Sequence, residues 1–114
     1  MASISLVKFH FTPTGKTTWL EWCDELKRRS DEVYATLKNE GVYTEACFLS
    51  ETENACFYLM QAVDIKKVLE VSEKSRLRID IEHQNALKKS LVYVERYKPL
   101  FLFSKEEVDA EKQI

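Results

Sequence analysis

The chain has 114 residues, 45% of them hydrophobic and 32% charged, which suits one domain folding on its own core without disulfides or metal. Its 17 basic and 19 acidic side chains leave a net charge of −2, so no overall basic field gathers nucleic acid or anionic lipid. With only Gly15, Gly41, Pro13 and Pro99 as chain breakers, collagen-like and low-complexity chains are excluded, and neither a P-loop nor a dinucleotide fingerprint can be written.

Ile4–Phe11 is rich in β-formers and ends at the turn cluster Thr12–Gly15, predicting a first strand. Thr18 and Glu21 then read as a capping box. Apolar residues at Trp19, Trp22, Cys23, Leu26, Val33, Tyr34 and Leu37 form one stripe, predicting a single long helix with Gly41 as its left-handed cap. Val42–Glu51 and Asn54–Val63 read as a hairpin closed at Thr52-Glu53. That loop pairs Leu49 with Cys56 and Cys47 with Tyr58, and puts Tyr43, Glu45, Cys47 and Leu49 on one face with Cys56, Tyr58, Met60 and Ala62. Both faces of the hairpin are apolar, so both are expected to be covered, one by helices and the other by a second chain.

Asp64 is placed to cap a short helix running to about Val71. Ser75–Ile79 breaks the pattern, and Asp80 is placed to cap a further helix from Ile81 to Tyr97 with an inward stripe of His83, Leu87, Leu91 and Val94. Lys98-Pro99 ends that helix, and Leu100–Phe103 reads as a short buried strand. The order β-α-β-β-α-β, with the second helix in two pieces, is that of a ferredoxin-like α+β sandwich. One domain over residues 1–104 is expected, followed by a charged tail, 105–114, that the Ser104 and Glu107 capping box turns into a short helix.

The segments Trp19-Leu20-Glu21-Trp22, Leu37–Tyr43, Glu45, Phe48-Leu49 and Ile79–His83 resemble a bacterial family of small domains of unknown function, over about residues 4–90. More broadly, the strand-helix-hairpin half is similar to the dimeric α/β-barrel superfamily, which includes cofactor-free monooxygenases, sugar mutarotases and haem-binding proteins. The resemblance implies a homodimer whose sheets close face to face, with ligand pockets between sheet and helices. Mutarotase-like members use a histidine on the first helix, and the matching position here is Leu26. No haem-ligand motif is matched, so no cofactor is expected.

His83 reads as a general acid/base or a hydrogen-bond donor, or more plainly as a core-facing or capping histidine. Glu45, mid-strand, must be paired, protonated or in a wet cavity; the plainer reading is a salt bridge to Lys8 or an arginine. These two are the candidate catalytic residues. In one registry Glu45 joins a polar patch of Lys8, His10, Tyr43 and Tyr58; in the other it meets His83, and the apolar pattern leaves both open. Trp19 and Trp22 are candidate pocket walls or plain core. An iron site from His10, His83 and Glu45 meets no spacing rule, so no metal is expected. Cys23, Cys47 and Cys56 lack a C-x-x-C spacing and read as reduced thiols; a Cys47–Cys56 disulfide requires the directly opposed register. The basic clusters, Lys27–Arg29 among them, read as solvated faces.

The start of the chain has no basic-then-apolar leader pattern and no apolar run spans a bilayer, so a cytoplasmic protein without a membrane partner is expected. The expected function is binding of a small apolar or aromatic molecule, with a monooxygenase-like or isomerase-like reaction. A non-catalytic dimerising or regulatory module is the alternative. RNA binding is disfavoured because Asn54–Gln61 lacks the basic residue and glycines of an RNA-recognition strand, and an acylphosphatase-like site because the loop after the first strand has one glycine.

Overall fold

The computed structural model describes residues 3–105. The elements are β1 (Ser3–Phe11), α1 (Gly15–Arg28), α2 (Ser30–Glu40), β2 (Val42–Ser50), β3 (Ala55–Ala62), α3 (Ile65–Lys74), α4 (Arg78–Ser90) and β4 (Leu91–Tyr97). The four strands form one antiparallel sheet in the order β2-β3-β1-β4. The fold is therefore α+β, with the helices packed on the sheet face that carries Ser5, Val7, Phe9, Cys56, Tyr58 and Ala62.

The hairpin has the expected register: Cys47 pairs with Tyr58, Leu49 with Cys56 and Ser50 with Ala55. Asn54, at φ 51°, takes the left-handed conformation that closes the turn. At the other end of β2 the register shifts, so that Val42 pairs with Ala62 and Thr44 with Gln61. Tyr43 is the extra residue of this bulge; it is 55% exposed and does not join Glu45. The bulge turns Val42 into the core instead.

The single long helix is corrected to two. The chain breaks at Arg29 (φ −109°, ψ 36°), although the apolar spacing continues through it. Arg29 donates to both carboxylate oxygens of Glu32 and to Glu82 on α4, so this residue is part of an interhelical ion-pair network rather than of a solvated face. Thr18 does not cap α1, which begins at Gly15; the Thr18 hydroxyl donates to the Thr14 carbonyl instead. Gly41 does end α2 in the left-handed region, at φ 73°.

Asp64 caps α3 by accepting from the Lys66 N–H. Asp80 is not the cap of α4. It lies in the first turn, 7% exposed, and accepts from Thr36 on α2 (2.7 Å) and from Ser75 (2.5 Å). The largest correction follows: α4 stops at Ser90, and Leu91–Tyr97 is the strand β4 beside β1. Val92, Tyr93 and Val94 are β-branched or aromatic, and pairing with the free edge of β1 outweighs the helical spacing of Leu87, Leu91 and Val94. Leu100–Phe103 is consequently neither strand nor buried, with Leu100 94% and Phe103 84% exposed. The expected C-terminal helix falls largely outside the described residues.

The core is divided. Trp19, Cys56 and Leu91 pack with Phe9, Phe11 and Trp22 at one end, and Val42, Ala62 and Val68 with Leu37, Met60 and Ile65 at the other. The gap between them holds the candidate site.

Candidate functional site

A cavity of about 170 Å³ lies between the sheet and the helices, bordered by Val7, Met60 and Leu87 and by the polar groups Glu45, Tyr58 and His83. A second, of about 420 Å³, lies against α1, α2 and β2 and is bordered by Trp19, Cys23, Val33 and Cys47. Glu45, Tyr58 and His83 border both. They come from three elements: β2, β3 and α4. Antiparallel pairing sets Glu45 opposite Met60 and Cys47 opposite Tyr58, so all four share the helix-facing side of the sheet. The second registry anticipated from the sequence is therefore the one adopted, and it brings Glu45 and His83 to one site with Tyr58 between them.

The hydrogen bonds determine who donates. The Trp22 indole Nε1–H donates to His83 Nδ1 over 2.8 Å, and His83 Nε2 lies 2.8 Å from the Tyr58 hydroxyl. An indole nitrogen only donates, so Nδ1 is the acceptor and the neutral ring carries its proton on Nε2. His83 thus donates to the Tyr58 oxygen, which leaves the phenolic proton free for another acceptor, and the nearness of Tyr58 favours the charged form of Glu45. Burial lowers His83 to about 4, against an opposing pull from Asp80. Burial likewise pushes Glu45 above the usual carboxylate range, and Asp80 adds to this. Burial and the nearby Glu45 hold the Tyr58 phenol well above its ordinary range. The arrangement is a neutral donor chain ending on a carboxyl group poised to hold a proton.

Trp22 borders neither cavity; its part is to set the histidine tautomer. Trp19 is core, 2% exposed, and also borders the larger cavity. Lys8 and His10 do not take part: they project from the open face of the sheet. Lys8 pairs with Glu53 at 2.6 Å and lies 5.7 Å from the Phe57 ring centroid, so the anticipated Lys8–Glu45 bridge is replaced by Lys8–Glu53. His10 is exposed on that same face, so His10, His83 and Glu45 do not converge. Among the described residues no group of three or more His, Cys, Asp or Glu side chains is placed to hold a metal ion.

Two further groups border the smaller cavity without having been singled out. Glu40, at the end of α2, is raised to about 7 by burial and by the nearby Asp80 and Glu45. Thr36, one turn earlier and 6% exposed, donates to Asp80. The i, i+4 spacing of Thr36 and Glu40 was the only sequence signal for either.

A family model matches residues 2–110. The chain belongs to DUF6176, a family of unknown function. No curated protein matches it. The segments that carried the resemblance lie at the site: Trp22, Leu37, Glu45 and His83 border its cavities or hold its hydrogen bonds. Among the described residues no helix is long and apolar enough to cross a membrane.

Proposed function

We propose that the protein binds a small apolar or aromatic molecule between sheet and helices and moves a proton on it, in the manner of an isomerase or a cofactor-free monooxygenase. The observation that carries this reading is Glu45 and the Tyr58–His83 pair standing together where two largely apolar cavities meet. The larger cavity, about 420 Å³, is within the range of small-molecule pockets. Glu45 is the proton acceptor. When ligand is bound, Tyr58 donates its one O–H to a ligand oxygen instead of toward Glu45, the O–H strengthened by the hydrogen bond it accepts from His83. His83 orients Tyr58, and both of its nitrogens are occupied in doing so.

The topology supports the ferredoxin-like and dimeric-barrel assignments. Taken from β4, the sheet order is 4-1-3-2 with antiparallel neighbours, and one face is left to cover. That open face carries Phe48, 58% exposed, and Val92, 52% exposed, beside the stacked rings of Phe57 and Tyr97. A second copy packing there about a two-fold axis buries them. Three free thiols accord with the reducing cytoplasm.

Thermal-shift measurements against a library of small apolar and aromatic metabolites test the reading. A compound at a hundred times its Kd adds about 2.7 kcal/mol to the folded state. Wild type should be stabilised by a compound that fails to stabilise Glu45→Gln or Tyr58→Phe. If no compound stabilises wild type, or if both variants respond as wild type does, the reading is wrong. Sedimentation at micromolar concentration tests the dimer, with Phe48→Lys expected to give monomer. A wild-type monomer would overturn the proposed cover while leaving the pocket unaffected, and the protein would then be read without the barrel.

A further inference from the structure

The ligand site makes no use of the thiols, yet Cys23 and Cys47 border its larger cavity, and the buried Cys56 lies in the core cluster of Trp19 beside them. Cys47 is exposed, Cys23 half-buried and Cys56 buried. Cys47 and Cys56 share the helix-facing side of the hairpin on adjacent strands, diagonally, because Cys47 pairs with Tyr58 and Cys56 with Leu49. A second observation points to the same place. Trp19 is 2% exposed, and its indole Nε1–H has no hydrogen-bond partner among the described residues. A buried donor left without an acceptor costs about 1–3 kcal/mol, so its persistence calls for a reason. Trp19 and Cys47 border the same cavity, and the indole is one of the groups that favour a negative charge on the Cys47 sulfur.

We propose that Cys47 is a peroxide-reactive thiol whose sulfur anion is received by the otherwise unpartnered Trp19 indole N–H at the wall of the larger cavity. The Cys47 thiol is lowered from its ordinary range by the Cys56 S–H first, then by Trp19 and the Phe48 backbone, against burial and Glu45. Cys23 moves the other way, to about 11, because of burial and its proximity to Cys47. The titratable and charged groups around this cavity are Glu45 on β2, Tyr58 on β3, Cys23 and Lys27 on α1, Tyr34 on α2, and His83 on α4. An accessible thiolate beside a second thiol is the environment in which peroxide oxidation occurs.

In the reaction the Cys47 thiolate attacks one oxygen of hydrogen peroxide. The S–O bond forms as the O–O bond breaks, and the departing hydroxide takes a proton from solvent to become water. The sulfur is oxidised by two electrons to a sulfenic acid, and the peroxide is reduced. The sulfenic acid is the first product, and dimedone traps it ahead of any condensation with the neighbouring Cys56 thiol.

Dimedone trapping after hydrogen peroxide, mapped by peptide mass spectrometry on the full chain, tests this with no ligand needed. Cys47 should be trapped about tenfold faster than Cys23 or more, and iodoacetamide alkylation of Cys47 should show a midpoint below that of an ordinary thiol. Trp19→Phe, which keeps an aromatic ring and loses the N–H, should slow trapping and move the midpoint upward; Cys56→Ala should do the same. Equal trapping of Cys23 and Cys47 in wild type overturns the proposal whether or not the variants fold. So does a folded Trp19→Phe protein that reacts like wild type.

Discussion

Trp22 Nε1 donates to His83 Nδ1 across 2.8 Å, and this one bond decides the chemistry of the histidine. A second proton on the ring would have to sit on Nδ1, facing a group that can only donate. Together with burial, this keeps His83 neutral down to about pH 4. The unfolded chain takes up the proton near 6.5. As pH falls through the interval from about 6.5 to about 4, the unfolded state binds the proton that the folded state refuses, so stability drops there and levels off below. The full difference is about 3 kcal/mol. Urea melts of wild type and His83→Gln between pH 4 and 8 should differ by an amount that changes over this interval. A pH-independent difference would contradict the assignment.

Glu40 works in the opposite direction. Its carboxyl is raised to about 7 by burial and by Asp80 and Glu45, against 4.5 in the unfolded chain. As pH rises through the interval from about 4.5 to about 7, the unfolded state loses its proton first, and the folded state is left with a cost that is complete above 7. Glu40→Gln should therefore stabilise the protein at pH 8 and leave it nearly unchanged at pH 4.5. Solvent reaching this end of α2 screens the effect, so the gain is about 1 kcal/mol. Thermal melts at the two pH values decide it, and equal melting temperatures of wild type and variant at pH 8 would count against the burial argument.

Asp80 is held by two hydroxyls, Thr36 at 2.7 Å and Ser75 at 2.5 Å, and it is 7% exposed. These bonds tie α2 and the α3–α4 connection to α4, immediately beneath the smaller cavity. Thr36→Val keeps the shape and removes one donor from a buried carboxylate, at a cost of about 1–3 kcal/mol. Thr36→Ser keeps the donor and should lose less than half as much. Denaturant midpoints of the two variants separate these outcomes; equal losses would mean that the methyl group, not the hydroxyl, carries the contribution of Thr36.

The legible parts of this fold are those with local punctuation. Gly41 marks the end of α2, Asp64 the start of α3, and the polar run Glu51–Asn54 sets the hairpin register down to the pairing of Cys47 with Tyr58. The break at Arg29 has no such mark, since neither glycine nor proline stands there and the apolar spacing runs on. It is stabilised by an ion pair to Glu82, 53 residues away, which local pattern does not reveal. At β4 a signal existed: Val92-Tyr93-Val94 favours a strand, but Leu87, Leu91 and Val94 also fit a helical stripe, and only the free edge of β1 decides between them. Glu45 and His83 could be singled out because a mid-strand carboxylate and a lone inward histidine are uncommon. Their meeting could not, because both faces of the hairpin are apolar and the side that Glu45 takes depends on where the helices pack. Tyr43 was misplaced by a one-residue bulge, which reverses the side-chain alternation at that point.

Gly15 is the position at which the least change should do the most damage. It opens α1 directly after the β1 turn, with its N–H bonded to the Thr12 carbonyl at 2.9 Å. The end of α4 lies against it: a Cβ added at Gly15 would stand 2.1 Å from the Ser90 carbonyl oxygen and 2.5 Å from Thr12 Oγ1. The first of these is backbone and is itself engaged, since Ser90 accepts from the Thr12 N–H at 2.9 Å. Relief requires moving the start of α1 away from the α4–β4 junction, and with it Trp19 and Trp22, whose contacts hold the core and the histidine. Overpacking of this kind typically costs about 1–3 kcal/mol, and a clash with backbone belongs at the upper end. Gly15→Ala should lower the denaturant midpoint accordingly and disturb the His83 imidazole resonance, read in a His10→Asn background that leaves one histidine. Lys16→Ala, one residue on, removes only a surface pair with Glu51 at 3.3 Å and should stay within about 0.5 kcal/mol of wild type. Should Gly15→Ala prove as mild as Lys16→Ala, the close approach of α1 to the α4–β4 junction would be refuted.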